Sequence, residues 1–206
     1  MTTQARRAVR TANLADLDTV TTVLAAAFFD GDLAPWLVAP ASDRHDVYPQ
    51  YFGLLAEHAL RHGLVEVTGD GLGVAIWHEY PGDDRGITPI DDYDYRLRKA
   101  TSPYTLRFIE LDQAMAAHHP TGRAHFYLAL LAVHPDRQGH GYGTGLLTHR
   151  HAALDTLGRP AYLEATSKRN RDLYAWHGYR PLKPYRPGTG APRLYPMWRD
   201  PQPPTG

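Results

Sequence analysis

The 206-residue chain reads as an α/β protein: a mixed sheet with helices on both faces. Three patterns predict this. Two amphipathic helical stripes precede any long strand, a turn-linked strand pair comes next, and the second half holds a strand, glycine turn, helix and strand in succession.

Ala8–Thr11 is a short β-like start. In "ANLADLDTVTTVLAAAFF", Leu14, Leu17, Val20, Val23, Leu24 and Ala27 recur at helical spacing, and Asn13 stands where an N-cap belongs. In "RHDVYPQYFGLLAEHALRHG", Val47, Tyr51, Leu54, Leu55 and Ala59 form a second stripe, closed by Gly63. "LVEVTG" and "LGVAIWHEY" flank Asp70 and Gly71 and read as a hairpin. Turn formers fill 81–94, and a helical region runs from there through "LRFIELDQAMAAHH". "HFYLALLAV" at 125–133 is nearly unbroken apolar, as a strand covered on both faces would be. The glycine turn, a helix over "TGLLTHRHAALDTLG" and the strand "AYLEAT" then make a crossover that lays two strands parallel. "NRDLYAWHGY" is a short helix ending at Gly178, and "YRPLKPYRP" and "RLYPMWR" are expected to close the sheet.

Composition excludes several functions. Lys plus Arg and Asp plus Glu are each 22, so the net charge is zero and no global field would hold nucleic acid or an anionic membrane. The absence of cysteine excludes a disulfide framework, a thiolate zinc site and a cysteine nucleophile. The N-terminus has positive charge but no apolar stretch behind it, and the longest apolar run falls far short of the ~18 residues a membrane span needs. The expectation is a soluble, cytoplasmic chain with one domain over 1–206, flexible tails at 1–7 and 199–206, and no nucleic-acid or membrane partner; it would be a monomer or homodimer. His58 and His62 lie one helical turn apart, but H-E-x-x-H is missing and His149 and His151 leave their helix on different sides, so no metal is expected.

The stretch "QGHGYGTG" at 138–145 has glycine at every second position. A bare-backbone turn between a buried strand and a helix N-terminus points N–H groups at an anion, with the helix dipole behind them. The dinucleotide fingerprint G-x-G-x-x-G fails, because Thr144 or Leu146 stands where the third glycine belongs. The P-loop fails for want of a lysine. Q-x-x-G-x-G fits, on Gln138, Gly141 and Gly143.

With "LAVHPDR" before it and "TGLL" after it, this segment resembles the acetyl-CoA pyrophosphate loop of the GCN5-related N-acetyltransferases. A second segment, "YLEATSKRNRDLYAWHGYRP", resembles the next stretch of that family: Asn170 opening a short helix, Tyr174 one turn on, then Gly178 and Tyr179. Together with "VRTANLADLDTVTTVLAAAF" and "GVAIW", it is similar to the puromycin N-acetyltransferase branch. The resemblance implies a mostly antiparallel sheet of six to seven strands with a splayed parallel pair. It implies that Leu131, Ala132 and Val133 contact pantetheine and that Gln138, Gly139, His140, Gly141, Tyr142, Gly143 and Thr144 hold the pyrophosphate. Asn170 would contact the pantetheine arm and Tyr174 would be the general acid. Acetyl-CoA is then the acyl donor.

With no cysteine, no G-x-S-x-G elbow and only three serines, an acyl-enzyme lacks a carrier, and direct transfer to an amine is expected. Glu164, a carboxylate inside an apolar strand, is the first candidate for the base. His134, Glu110, Asp112 and a water chain are others. Arg137, Lys168, Arg169 and Arg171 could meet the 3′-phosphate or be solvated charge. In the middle segment, Asp83, Asp84, Asp91, Asp92 and Asp94 stand among Tyr80, Tyr93, Tyr95, Tyr104 and Phe108, a mixture suited to a cationic amine or to a solvated loop. The leading expectation is an N-acetyltransferase acting on a small-molecule amine, an antibiotic or aminonucleoside-like metabolite among the candidates. A protein or peptide amine acetyltransferase and a non-catalytic acyl-CoA-binding module are the alternatives.

Overall fold

The computed structural model describes residues 8–83 and 87–203. The expectations for 1–7, Asp84 and 204–206 fall outside the described residues.

The chain opens with β1 (Val9–Thr11). Asn13 caps the next turn as expected, accepting from Ala15 while Asp16 reaches back to the Asn13 N–H, a capping box. The cap belongs to a 3₁₀ turn, Leu14–Asp16, and α1 proper is Leu17–Phe28. Leu14 is therefore off the buried stripe, exposed at 45%. A single turn, α2 (Ala34–Leu37), escaped the sequence reading, being too short for periodicity to register. The second stripe is α3 (Ala41–His62), which begins before Arg44 and carries Pro49 inside.

β2 (Leu64–Thr68) and β3 (Gly73–Tyr80) form the expected hairpin. The helical middle divides into α4 (Tyr93–Thr101) and α5 (Thr105–His118), parted at Pro103, which cannot continue a helix. Next come β4 (His125–Val133), α6 (Tyr142–Thr156), β5 (Ala161–Ala165), α7 (Lys168–Trp176), β6 (Arg180–Pro181) and β7 (Tyr195–Arg199).

The sheet has seven strands in the order β1-β2-β3-β4-β5-β7-β6, and every pairing is antiparallel except β4 with β5. The mixed sheet with one parallel pair is the architecture expected. Side chains alternate across it. One face packs Val65, Val67, Val74, Ile76 and Ala132 against α1, α3, α4 and α5. The other packs Ala75, Trp77, Leu128, Leu163 and Met197 against α6 and α7. "YRPLKPYRP" supplies only a two-residue strand and an isolated bridge from Tyr185 to Leu194. Pro181, Pro184 and Pro187 have no N–H to give a ladder.

Arg199, the last residue of the expected closing strand "RLYPMWR" and the first of the expected tail, ends β7. It is 4% exposed and pairs Nη1 and Nη2 with Asp155 at 2.6 and 2.7 Å. Gln202 N–H donates to the same carboxylate at 2.8 Å. Among the described residues no helix is long and apolar enough to cross a membrane.

Candidate active site

The parallel pair is short. β4 and β5 partner only at Phe126 with Ala161, Tyr127 with Tyr162 and Leu128 with Leu163. Past Leu128, β4 stays with β3 up to Val133, whereas β5 stays with β7 up to Ala165. A register shift in β3·β4 between Ile76 and Trp77 leaves Ala129 as the extra residue at the point of departure. The two strands therefore splay.

Antiparallel ladders alternate bonded and non-bonded pairs. His134 N–H donates to Leu72 O at 2.9 Å, so Ala132 spends its backbone groups on β3, and Leu131 and Val133 turn theirs into the splay. Val133 O accepts from Gln138 Nε2 at 3.2 Å, on that outward side. Of the three residues expected to meet pantetheine, Leu131 and Val133 thus offer backbone groups, and Ala132 is a buried spacer.

His134 accepts from Asp136 N–H and caps the 3₁₀ turn Pro135–Arg137, which makes it a structural cap. Beyond it, Gly139 has φ +76° and Gly141 φ +82°, backbone that only glycine adopts cheaply. A Cβ on Gly139 would meet nothing within 4 Å. Gln138, Gly139, His140 and Gly141 are exposed, and Tyr142, Gly143 and Thr144 form the first turn of α6, whose leading N–H groups have no intrahelical acceptor. The Tyr142 side chain, 5% exposed, points inward and donates to Asp70 at 2.6 Å. Exposed glycines and a helix N-terminus thus meet beside the splay, an arrangement whose N–H groups suit an anion.

α7 is capped by Ser167, whose hydroxyl accepts from Asn170 N–H at 3.0 Å; Asn170 is the third residue of the helix, in its first turn. Its side chain is exposed. One turn on, Tyr174 is 8% exposed and packs edge-on to Tyr179. Burial pushes its phenol well up, so it stays protonated at neutral pH. No hydrogen bond to a described residue engages its hydroxyl.

Glu164 lies on the other face of β5. Tyr162 donates to its Oε1 at 2.8 Å and Tyr185 approaches at 3.5 Å. Tyr127 also lies close to it. Its Oε2 is buried with no hydrogen-bond partner among the described residues. Burial pushes this carboxyl up to about 7, against the pull of three phenols. Tyr185 stacks on His118 at 3.8 Å between ring centroids. Tyr127 and Tyr162 stand opposite each other in register, which places three tyrosines around one carboxylate. The sequence reading missed them. Tyr162 and Glu164, two apart on a strand, were a usable signal; Tyr185, in the proline-rich segment, was not.

The other candidates are otherwise engaged. Glu110 is exposed and pairs with Arg107 at 2.9 Å. Asp112 accepts from Tyr93 at 2.7 Å, and burial raises its carboxyl to about 6. Tyr104 donates to Asp43, and Phe108 is in the core. Tyr95 is 70% exposed. Of the middle segment's aromatics, Tyr80 borders the Glu164 cluster, stacking on His119. Lys168 and Arg169 are exposed, and Arg171 pairs with Asp172 and covers Tyr195. The His58 and His62 rings lie tilted with centroids 4.9 Å apart, and among the described residues no group of three or more His, Cys, Asp or Glu could hold a metal.

Residues 108–181 match the family model described as an acetyltransferase (GNAT) domain. The chain is similar to the crystal structure titled as histone acetyltransferase HPA2 and related acetyltransferase from Corynebacterium glutamicum, at 26% identity and a TM-score of 0.70, over 96% of this chain and 98% of that one. Arylalkylamine N-acetyltransferase 2 from Aedes aegypti shares the fold at 16% identity and TM-score 0.62, over 95% and 99% of the chains. The C-terminal condensation domain of Ebony, in complex with beta-alanyl-dopamine, does so at 15% and 0.62, over 94% and 98%. The splayed pair and the glycine turn lie within the matched segment, and the sheet with its one parallel pair matches the GNAT fold.

Proposed function

We propose that the protein transfers an acetyl group directly from acetyl-CoA to the primary amine of a small molecule. The observation that carries the reading is the unpartnered, buried Oε2 of Glu164 beside the splay. A buried carboxylate oxygen without a donor is costly unless a ligand supplies one, and an ammonium does.

The residues fit coenzyme A. The α6 N-terminus and the left-handed glycines suit its diphosphate, and the outward-facing backbone groups of Leu131 and the Val133 N–H suit its pantetheine amides. Asn170 is exposed beside that path. Acetyl-CoA supplies an activated acyl thioester. Glu164, held near neutrality, takes the proton of the bound ammonium so that the nitrogen lone pair is available. An N–H of Leu131 or Val133 donates to the carbonyl oxygen as negative charge grows there. As the C–N bond forms and the C–S bond breaks, Tyr174 gives its proton to the departing thiolate, and the proton that the nitrogen sheds on becoming an amide restores the phenol. Glu164 and Tyr174 lie on opposite faces of β5, and the gap between β4 and β5 joins those faces. Base and acid thereby address one thioester from two sides.

Aromatic rings around Glu164 favour an amine with an apolar or aromatic body. The neighbours named for arylalkylamine acetylation and the beta-alanyl-dopamine complex support that choice. The puromycin-type segments support an antibiotic or aminonucleoside-like acceptor. Either substrate places the enzyme in the cytoplasm with acetyl-CoA. The test monitors thiol release from acetyl-CoA with a panel of arylalkylamines, aminonucleosides and lysine peptides. Turnover confined to the peptides would replace the small-molecule reading by a protein one, and binding without turnover on any amine would leave an acyl-CoA-binding module.

A further inference from the structure

Asp70 sits in the turn between β2 and β3 and takes part in no step of the transfer. Yet both ends of the glycine turn are fastened to that one hairpin tip. At the entry, Gly73 pairs with Val133, and His134 donates its N–H to Leu72 O at 2.9 Å. At the exit, Tyr142, the first residue of α6, donates its hydroxyl to Asp70 Oδ2 at 2.6 Å. The other Asp70 oxygen accepts from Thr68 Oγ1 at 2.9 Å and from Leu72 N–H at 3.3 Å, so the carboxylate is held at both oxygens. Thr68 Oγ1 in turn accepts from Gly73 N–H at 2.9 Å. Between the fastened ends lie Gly139 and Gly141, the two positions where left-handed backbone leaves the chain most freedom.

We propose that the Tyr142–Asp70 hydrogen bond is a positioning device for the coenzyme-A diphosphate. Tyr142 belongs to the turn by sequence, but its side chain faces away from the N–H cradle and acts through Asp70. It fixes the first turn of α6, so that the N–H groups facing the anion are aligned before it arrives. Without the bond, binding must order that turn and affinity falls. Asp70 and Tyr142 are positioning residues. The proposal rests on the reading that this turn holds the diphosphate.

The experiment titrates coenzyme A calorimetrically into the parent protein, Tyr142→Phe, Asp70→Ala, Asp70→Asn and the Tyr142→Phe/Asp70→Ala double variant. Tyr142→Phe and Asp70→Ala are each expected to raise Kd by roughly 10- to 150-fold, the scale of a hydrogen bond to a charged group. Asp70→Asn, which keeps an acceptor oxygen, recovers most of that loss. The double variant binds no more weakly than the weaker single one, because both remove one interaction. The KM for acetyl-CoA rises with Kd, and that for the amine does not move. Parent-like binding by both single variants, or fully additive losses, overturns the proposal. If Tyr142→Phe fails to fold, the Asp70 pair decides: equal Kd values for Ala and Asn overturn it. A parent protein that gives no heat with coenzyme A removes the diphosphate reading itself, and the proposal with it.

Discussion

The Tyr162 hydroxyl donates to Glu164 Oε1 at 2.8 Å across two residues of one strand, which puts the phenol and the carboxylate on the same face of β5. Oε1 is thereby held, and Oε2 is buried with no hydrogen-bond partner among the described residues. Burial keeps the carboxyl near 7 even so.

Glu164→Gln is therefore expected to lower kcat/KM by about 10²- to 10⁴-fold, the usual worth of a general base. In the parent, activity falls as pH drops through about 7, where Glu164 takes up its proton. That acid limb disappears in the variant. Thiol release measured across this range checks both outcomes.

The same carboxyl has a stability signature. Its folded value of about 7 stands above the unfolded value of about 4.3. Between the two, the folded chain binds more protons than the unfolded one, so its contribution to stability falls as pH rises through that window. Glu164→Gln removes this term. Relative to the parent it melts higher above pH 7 than it does near pH 4, as thermal melts at both ends should show.

Tyr174→Phe is expected to lower kcat by about 10²-fold while leaving the Kd of coenzyme A and the melting temperature nearly unchanged. Its hydroxyl bonds to no described residue, so the loss shows in chemistry and not in folding. Pre-steady-state thiol release and calorimetry separate the two. Unchanged turnover removes Tyr174 as the acid.

Two glycines of one stretch should respond oppositely. Gly141 has φ +82°, and Gly141→Ala costs about 1–2 kcal/mol. Gly145 lies inside α6 with nothing within 4 Å of a built Cβ, and Gly145→Ala gains about 0.5–1 kcal/mol. Denaturant melts of the two variants check the sign.

Arg199→Ala strands the Asp155 carboxylate, which Arg199 meets at 2.6 and 2.7 Å. The expected cost is about 3 kcal/mol, or a fall in Tm of roughly 6–12 °C for a chain this long. Truncation before Arg199 should do the same, a result that an unstructured tail would not give.

Much of this was legible in the sequence. The hairpin, the crossover and the parallel pair could be read from Asp70 with Gly71 and from the strand, glycine turn and helix at 125–158. The glycine turn was legible because its backbone requirement excludes other residues at Gly139 and Gly141. What escaped depends on contacts between distant segments. Tyr185 reaches Glu164 from a segment whose prolines blur strand periodicity. The middle segment's acidic and aromatic residues looked like an amine site, but Tyr93, Tyr104 and Phe108 are spent on packing α4 and α5. Arg199 looked like a terminal charge because its partner, Asp155, lies 44 residues away.

The central claim is that the splay between β4 and β5, with the glycine turn at its mouth, holds coenzyme A. Calorimetric titration of the parent protein with acetyl-CoA tests it most directly: one exothermic site per chain is expected, weakened by Gly141→Ala. A flat titration with both coenzyme A and its acetyl ester would contradict it.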